Sequence, residues 1–193
     1  MSKQDRRSQL LEVAKVILEN DGAEALTLAL LAERAGVSKP IAYDHFATRS
    51  GLLVALLQDI GRYYETDALA KIAAGPQTVD SVAAIVARAY VLCSLDAGPA
   101  ATVLSAAIEA DAEVREVGRA FQAEHADLFE RAFSPVLKSG DPRLHSIFSG
   151  LVAAANAICV ERMTGTISTD LAVDTLQHML ASSLAPFAKT SPQ

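Results

Sequence analysis

The feature that most constrains this chain is a pair of short predicted helices separated by a single glycine. Thr27 and Ser38 are each suited to cap the start of a short helix. Gly36 permits a tight turn between the two helices, and Val37 just after it can anchor the corner in a core. Together with an amphipathic helix over residues 4–20, the pattern predicts a three-helix unit of the helix-turn-helix kind. Short alanine-rich helix pairs also occur in unrelated bundles, so the pattern alone leaves that alternative open.

Hydrophobic periodicity predicts helices along the rest of the chain as well. Strong helix formers dominate the 193 residues, and Trp is absent. Glycine and proline signals, including a predicted break at residues 96–99, divide the chain into nine helices with no convincing strand. We therefore expect an all-α protein, with a helix-turn-helix domain over residues 1–47 and a larger helical domain over residues 48–193.

The charge distribution is a modest argument for DNA binding. A net charge of −6 argues against a wholly basic nucleic-acid binder. Residues 1–49 contain seven Lys or Arg against seven Asp or Glu, so the acidic excess lies in the remainder of the chain. The balanced N-terminal quarter is less basic than a typical DNA-binding domain, which slightly favours the rival hypothesis of a helical small-molecule or protein-binding module.

Several other classes of protein are not expected. No secretory signal is apparent, and the longest run without charged residues, 144–160, contains His, Ser and Asn, which argues against a membrane span. The histidines His125, His145 and His178 lack metal-ligand spacing, and no catalytic motif is present. Cys93 and Cys159 lie in apolar helical patterns typical of buried residues, with a redox switch as the alternative. We expect a cytoplasmic non-enzyme without metal or cofactor.

Residues 27–53, TLALLAERAGVSKPIAYDHFATRSGLL, resemble the signature of the TetR family of transcriptional regulators. That signature has a threonine opening the second helix, a segment of the type A-x-x-A-G-V-S-x-x-x-x-Y-x-x-F, and then a polar cap, a basic residue and two leucines. The matching positions are Ala32, Ala35, Gly36, Val37, Ser38, Tyr43, Phe46, Thr48, Arg49, Leu52 and Leu53. The resemblance implies a ligand-responsive regulator, in most cases a repressor, that binds double-stranded operator DNA as a homodimer.

The resemblance also implies which residues contact DNA. Thr27, Tyr43 and Arg49 correspond to phosphate contacts, whereas Ser38, Lys39, Pro40, Ile41 and His45 lie on the recognition helix. Lys3, Arg6 and Arg7 resemble the basic arm that often precedes the first helix.

Alternatives remain for some of these positions. Tyr43 could be a corner residue, Arg49 a solvated charge, and His45 has the least specific role. Asp44 departs from the family pattern because phosphate repels an acid there unless it accepts from a cytosine amino group. Ala42 replaces a larger aliphatic residue that the family commonly packs.

The C-terminal part is expected to dimerise and to bind the effector. Two apolar stripes on the helix after Asp141, and one on the last helix, predict a dimer surface of Ile147, Leu151, Ala154, Ile158, Leu176, Leu180 and Leu184. The few polar groups on apolar stripes suggest a mostly apolar ligand, with candidate pocket residues Tyr64, Tyr90, Phe121, His125, Phe129, Asn156 and Cys159. Asn156 and His125 could equally be satisfied within the protein core. The effector would change the separation of the recognition helices through the fourth helix.

Overall fold

The structure, a computed structural model, describes the backbone of residues 2–110 and 112–189. It describes the side chains of the same residues except 99, 101–119, 121 and 122. Its helices are α1 (Lys3–Asp21), α2 (Leu28–Arg34), α3 (Lys39–Phe46), α4 (Arg49–Ala74), α5 (Val79–Ala110), α6 (Ala112–Phe133), α7 (Arg143–Met163) and α8 (Thr169–Leu184). Two short 3-10 turns, Ala23–Ala25 and Ala185–Phe187, complete the regular structure of the described ranges. Since the only β pairing in those ranges is an isolated bridge between Leu137 and Ala188, the all-α prediction is confirmed.

The predicted break at residues 96–99 is wrong, and the described ranges contain eight α-helices rather than nine. α5 continues through Gly98 and Pro99 as one helix of 32 residues. A proline inside a helix removes one hydrogen bond and costs about 3 kcal/mol. α5 also buries a row of apolar side chains, including Val82 and Val91, each 0% exposed. The burial of these side chains can offset the cost of the proline. Turn signals in the sequence do not include this burial.

Side-chain caps fix the starts of several helices, including those predicted at Thr27 and Thr48. The Thr27 hydroxyl accepts from the Leu30 N–H at 3.1 Å, and the Thr48 hydroxyl accepts from the Gly51 N–H at 3.0 Å. Ser168 accepts from the Leu171 N–H at the start of α8, also at 3.1 Å. These bonds satisfy donors that a helix leaves unpaired at its first turn.

The chain divides into two compact units. The first comprises Met1–Arg62 and Asp96–Gly118, and the second comprises Tyr63–Leu95 and Arg119–Gln193. The division falls within α4, α5 and α6, whereas the sequence places a boundary at residues 47 and 48. In the first unit, fully buried leucines such as Leu10, Leu31 and Leu56 form the core.

The core of the second unit is built from α4, α5, α6, α7 and α8. Its largest fully buried side chains include Phe133, Phe148, Leu176 and Leu180. Two segments, Val79–Gly98 and Arg143–Met163, are long and apolar enough to cross a membrane. Both contribute side chains to the hydrophobic core of the second unit, as the core helices of soluble proteins do.

Candidate nucleic-acid interface and ligand site

The N-terminal half of α3 presents three of its predicted contact residues to solvent, whereas Ile41 is half-buried. Lys39 and Pro40 are exposed, and Tyr43 is 52% exposed. On the opposite face Ala42 is 0% exposed and Phe46 is 5% exposed. α3 is therefore anchored by one face and can offer the other to a groove, which is how a recognition helix binds DNA.

The turn before α3 has the geometry that the glycine predicts. Gly36 adopts a φ of 64°, in the left-handed region that glycine tolerates best. The Val37 N–H donates to the Ala32 carbonyl at 3.0 Å and closes the end of α2. Ala42 fills its position without exposure, so the corner is packed despite the small side chain.

Two hydroxyls lie at the helix starts of this unit. Thr27 is exposed, and because its oxygen accepts from Leu30, its own O–H can still donate to a phosphate oxygen. Ser38 lies at the N-cap position of α3, is exposed and makes no side-chain capping bond. Both hydroxyls are thus accessible to a partner at the surface.

Arg49, for which the resemblance implies a phosphate contact, makes hydrogen bonds within the protein. Its Nε donates to the Leu26 carbonyl at 2.9 Å, and its Nη2 donates to the Ala23 carbonyl at 2.8 Å. The guanidinium also lies 3.4 Å from both a backbone and a carboxylate oxygen of Glu24. Arg49 therefore links the start of α4 to the turn between α1 and α2, and its main hydrogen-bonding capacity is used inside the protein.

The basic residues near the N-terminus lie within α1 rather than in an arm before it. The Arg7 Nη1 donates to the His45 carbonyl at 3.0 Å, and its guanidinium lies 5.0 Å from the centroid of the Phe46 ring. The Arg6 Nη1 donates to Gln9 at 2.7 Å, whereas Lys3 is exposed. Arg7 thus joins α1 to the end of α3.

His45 lies in this basic environment. Partial burial lowers the pKa of His45, and the charges of Lys3, Arg7 and Arg6 lower it further against a smaller opposing effect of Asp44. The lowered pKa favours the neutral imidazole over the imidazolium. The same electrostatics indicate that α1 contributes positive charge near the end of α3.

Four of the predicted ligand-binding residues lie together in the second unit. The Tyr90 hydroxyl donates to Asn156 Oδ1 at 2.7 Å, and its ring contacts those of His125 and Phe129 edge-on, at centroid distances of 5.8 Å and 5.3 Å. Burial raises the pKa of Tyr90 well above its usual range, and Cys159 and Cys93 raise it further. The Asn156 carbonyl oxygen, for which the sequence left core and ligand alternatives open, thus has a partner within the protein.

The remaining ligand candidates fall differently. Cys159 belongs to the same hydrophobic core, and burial raises the pKa of its thiol despite a hydrogen bond with Ser94. The rings of Tyr64 and Tyr63 lie edge to face, with their centroids 5.3 Å apart. The side chain of Phe121 lies outside the described residues.

Four leucines of the predicted dimer surface lie in the core of their own chain. Leu151 is 5% exposed, and Leu176, Leu180 and Leu184 are each 0% exposed, so they cannot contact a second copy in this conformation. Ile147, Ala154 and Ile158 are half-buried. α7 and α8 pack on each other through these stripes, which explains the apolar pattern without a partner.

The outward faces of α7 and α8 carry exposed apolar residues that lie outside the predicted dimer surface. Ala153 and Ala157 are exposed on α7, together with Val160 at 52%. Leu171 on α8 is 50% exposed. The small residues of α7 were a visible signal, because they permit close approach of another helix.

Comparisons with known proteins agree with this architecture. Residues 10–56 match the family described as "Bacterial regulatory proteins, tetR family". The HTH-type transcriptional activator FasR of Mycolicibacterium smegmatis is 40% identical over 58 residues, which span 30% of this chain and 26% of FasR. The aligned segment thus covers about a quarter of that relative.

Solved structures share the fold over nearly the whole chain. A TetR-family transcriptional regulator from Rhodococcus sp. superposes with a TM-score of 0.68 at 22% identity, covering 95% of this chain and all of that one. The multidrug binding protein EbrR complexed with imidazole has a TM-score of 0.59 at 19% identity, covering 91% of this chain and 89% of EbrR. Residues 10–56 therefore match the tetR family of bacterial regulatory proteins, and the chain shares the all-α fold of solved TetR-family regulators.

Proposed function

We propose that the protein is a cytoplasmic transcriptional regulator that binds a palindromic DNA operator as a homodimer. The observation that carries the proposal is the exposed face of α3, on which Lys39, Pro40 and Tyr43 surround the N-terminal turns of a helix anchored by Ala42 and Phe46. A helix held in this way can enter the major groove with its first residues near base edges. The family match over the same segment supports this assignment.

Dimerisation is proposed through the outward faces of α7 and α8. Ala153, Ala157, Val160 and Leu171 offer exposed small and apolar side chains there, whereas the leucines behind them hold the two helices together. A symmetric pair of subunits presents two recognition helices to successive major grooves, which explains why a palindrome would be read.

We further propose that a small, mostly apolar molecule releases the regulator from DNA. The core around Tyr90, Phe129 and Cys159 is apolar, with Asn156 and His125 as its polar groups. EbrR, which shares the fold, is described as a multidrug binding protein. A ligand of this kind could act only through different affinities for the DNA-bound and released conformations.

A selection of random DNA fragments by the purified full-length protein tests the proposed function. We expect enrichment of a palindrome whose half-sites lie on one face of the duplex. Lys39→Ala should then weaken binding to the selected site and lower the slope of log K against log salt by about one. Lys71→Ala is the matched control, because Lys71 is an exposed lysine of α4 paired with Asp67 and should leave the slope unchanged.

Failure of the selection would favour the rival function. If no sequence is enriched and no binding occurs at low salt, the helical core is a small-molecule or protein-binding module without DNA reading. The balanced charge of residues 1–49 favours this second candidate, because DNA-binding domains are usually basic.

Repression is the proposed direction of regulation, because a dimer bound across a promoter blocks polymerase without any further contact. FasR is described as an activator, so a reporter driven by the selected operator provides the direct test. Deletion of the regulator should raise expression from that reporter, and a fall in expression would instead indicate activation.

The ligand proposal predicts a specific pattern of thermal shifts. Apolar compounds should raise the melting temperature of the wild-type protein, because a ligand that binds only the folded state stabilises it by mass action. Without ligand, Tyr90→Phe should lower the free energy of unfolding by about 1–3 kcal/mol, because it removes the donor to Asn156. The melting temperature should fall accordingly. Tyr90→Phe should also reduce the shifts that ligands produce.

Tyr63→Phe is the matched control for this experiment, because Tyr63 is 71% exposed and should tolerate loss of its hydroxyl. A screen in which only highly charged metabolites stabilise the protein would contradict an apolar ligand. If a ligand raised the melting temperature of the wild type and of Tyr90→Phe equally, its binding site would not include the Tyr90 hydroxyl.

A further inference from the structure

Three side chains with metal-ligating atoms converge on the surface of the second unit. Asp127 and Glu130 lie about one turn apart on α6, and His145 lies in the first turn of α7. Their ligating atoms all lie within 4.8 Å of one another, and all three side chains are exposed. The three residues have no assigned role in DNA binding, in dimerisation or in the aromatic core around Tyr90.

The arginines next to this group are paired with other carboxylates. The neighbouring Arg131 forms an ion pair with Glu65, with an N···O distance of 3.0 Å. Arg143 forms an ion pair with Asp141 at 2.7 Å. In the part of the chain that the structure describes, neither Asp127 nor Glu130 makes an ion pair. Two like charges so close together repel each other, and a bound cation would remove that repulsion.

A recess in the surface lies beside the group. It has a volume of about 320 Å³ and is lined by Glu130 and His145 themselves, together with Leu144 and Phe148. Lys138 also lines it but makes no ion pair in the described part of the chain. The donors thus border a recess with room for a water molecule or another small ligand to complete a coordination sphere.

We propose that Asp127, Glu130 and His145 bind a divalent transition-metal ion of the zinc class. A site with an imidazole among carboxylates suits Zn²⁺ and its neighbours, whereas Mg²⁺ and Ca²⁺ prefer oxygen ligands alone. Zinc holds tetrahedral ligand atoms about 3.4 Å apart at bond lengths near 2.1 Å. Exposed side chains can close to that spacing by changes of rotamer.

The position of the ligands gives the metal a structural consequence. Two of them come from α6 and the third from α7, so a bound ion would tie the two helices together within the second unit. Binding to the folded state alone would stabilise that unit by mass action. A metal-dependent melting temperature is therefore expected, independent of any effect on DNA binding.

The test uses the full-length protein with its affinity tag removed and its metal stripped by a chelator. We expect Co²⁺ titration to give visible d–d absorption that saturates at one ion per chain, and Zn²⁺ to displace the Co²⁺. Zn²⁺ should also raise the melting temperature of the wild type. His145→Gln and Glu130→Gln should each weaken Co²⁺ binding by about tenfold or more and abolish the thermal shift.

His178→Gln is the matched control, because His178 is an exposed histidine of α8 outside the group. It should bind Co²⁺ as the wild type does. Wild-type binding that appears only at millimolar Co²⁺ would overturn the proposal. Wild-type affinity in His145→Gln, or equal losses in His145→Gln and His178→Gln, would also overturn it.

Discussion

Replacing Gly51 by alanine is expected to destabilise the N-terminal unit by about 3 kcal/mol, a large effect for one added methyl group. A Cβ at Gly51 would clash with the Phe46 carbonyl oxygen. That oxygen belongs to the backbone at the end of α3 and accepts from the Thr48 N–H at 2.6 Å, so it cannot rotate away. Relief of the clash would displace the end of the recognition helix from the start of α4.

Gly61→Ala is the control for this prediction. Gly61 lies on the same helix and in the same compact unit, but a Cβ there would meet nothing within 4 Å. Because glycine is a poor helix former, this change should stabilise α4 by up to about 1 kcal/mol. Urea unfolding followed by circular dichroism, with hydrogen exchange of the α2 and α3 amides, measures both effects. Similar behaviour of the two variants would refute the steric explanation.

The helix-turn-helix could be predicted because its signals are local. Thr27 caps the helix that follows it, Gly36 adopts a positive φ, and each feature depends on residues only a few positions away. The amphipathicity of α3 is equally local, because burial of Ala42 and Phe46 leaves Lys39 and Tyr43 on the other face. The fold class follows from the same short-range propensities.

The partners of long side chains could not be predicted, because they lie far away along the sequence. Arg7 contacts His45 and Phe46 from another helix, although the resemblance suggested a basic arm before the first helix. The three proposed metal ligands illustrate the same limit. A search for regular histidine spacing passes over Asp127, Glu130 and His145, since they lie on two helices joined by a turn.

Apolar periodicity identifies the buried face of a helix but not what covers it. The stripe with Leu176, Leu180 and Leu184 is a core face of α8, although the same pattern would suit a dimer surface. What distinguishes the two is the packing of α7 against α8, a tertiary contact. The same reasoning explains α5, in which tertiary burial is compatible with a proline that local signals treat as a break.

Arg49→Ala is expected to destabilise the N-terminal unit by about 2 kcal/mol, because two carbonyl groups lose a charged donor. The guanidinium bonds to Leu26 and Ala23 at 2.9 Å and 2.8 Å, but the side chain is 37% exposed, so water recovers part of the loss. Arg49→Lys should fall between the wild type and alanine, since an ammonium cannot reproduce the planar fork of donors. Hydrogen exchange of the turn before α2 and urea unfolding measure the change.

Arg34→Ala is the matched control, because Arg34 makes an ion pair with Asp21 at the surface of the same unit and is 48% exposed. A pair of this kind contributes at most about 1 kcal/mol. Operator affinity of Arg49→Ala should fall together with the stability of the helix-turn-helix, and added osmolyte should recover both. A loss of DNA affinity and of about one unit of salt slope, with unchanged unfolding, would instead mean that Arg49 leaves its internal carbonyls and binds a phosphate in the complex.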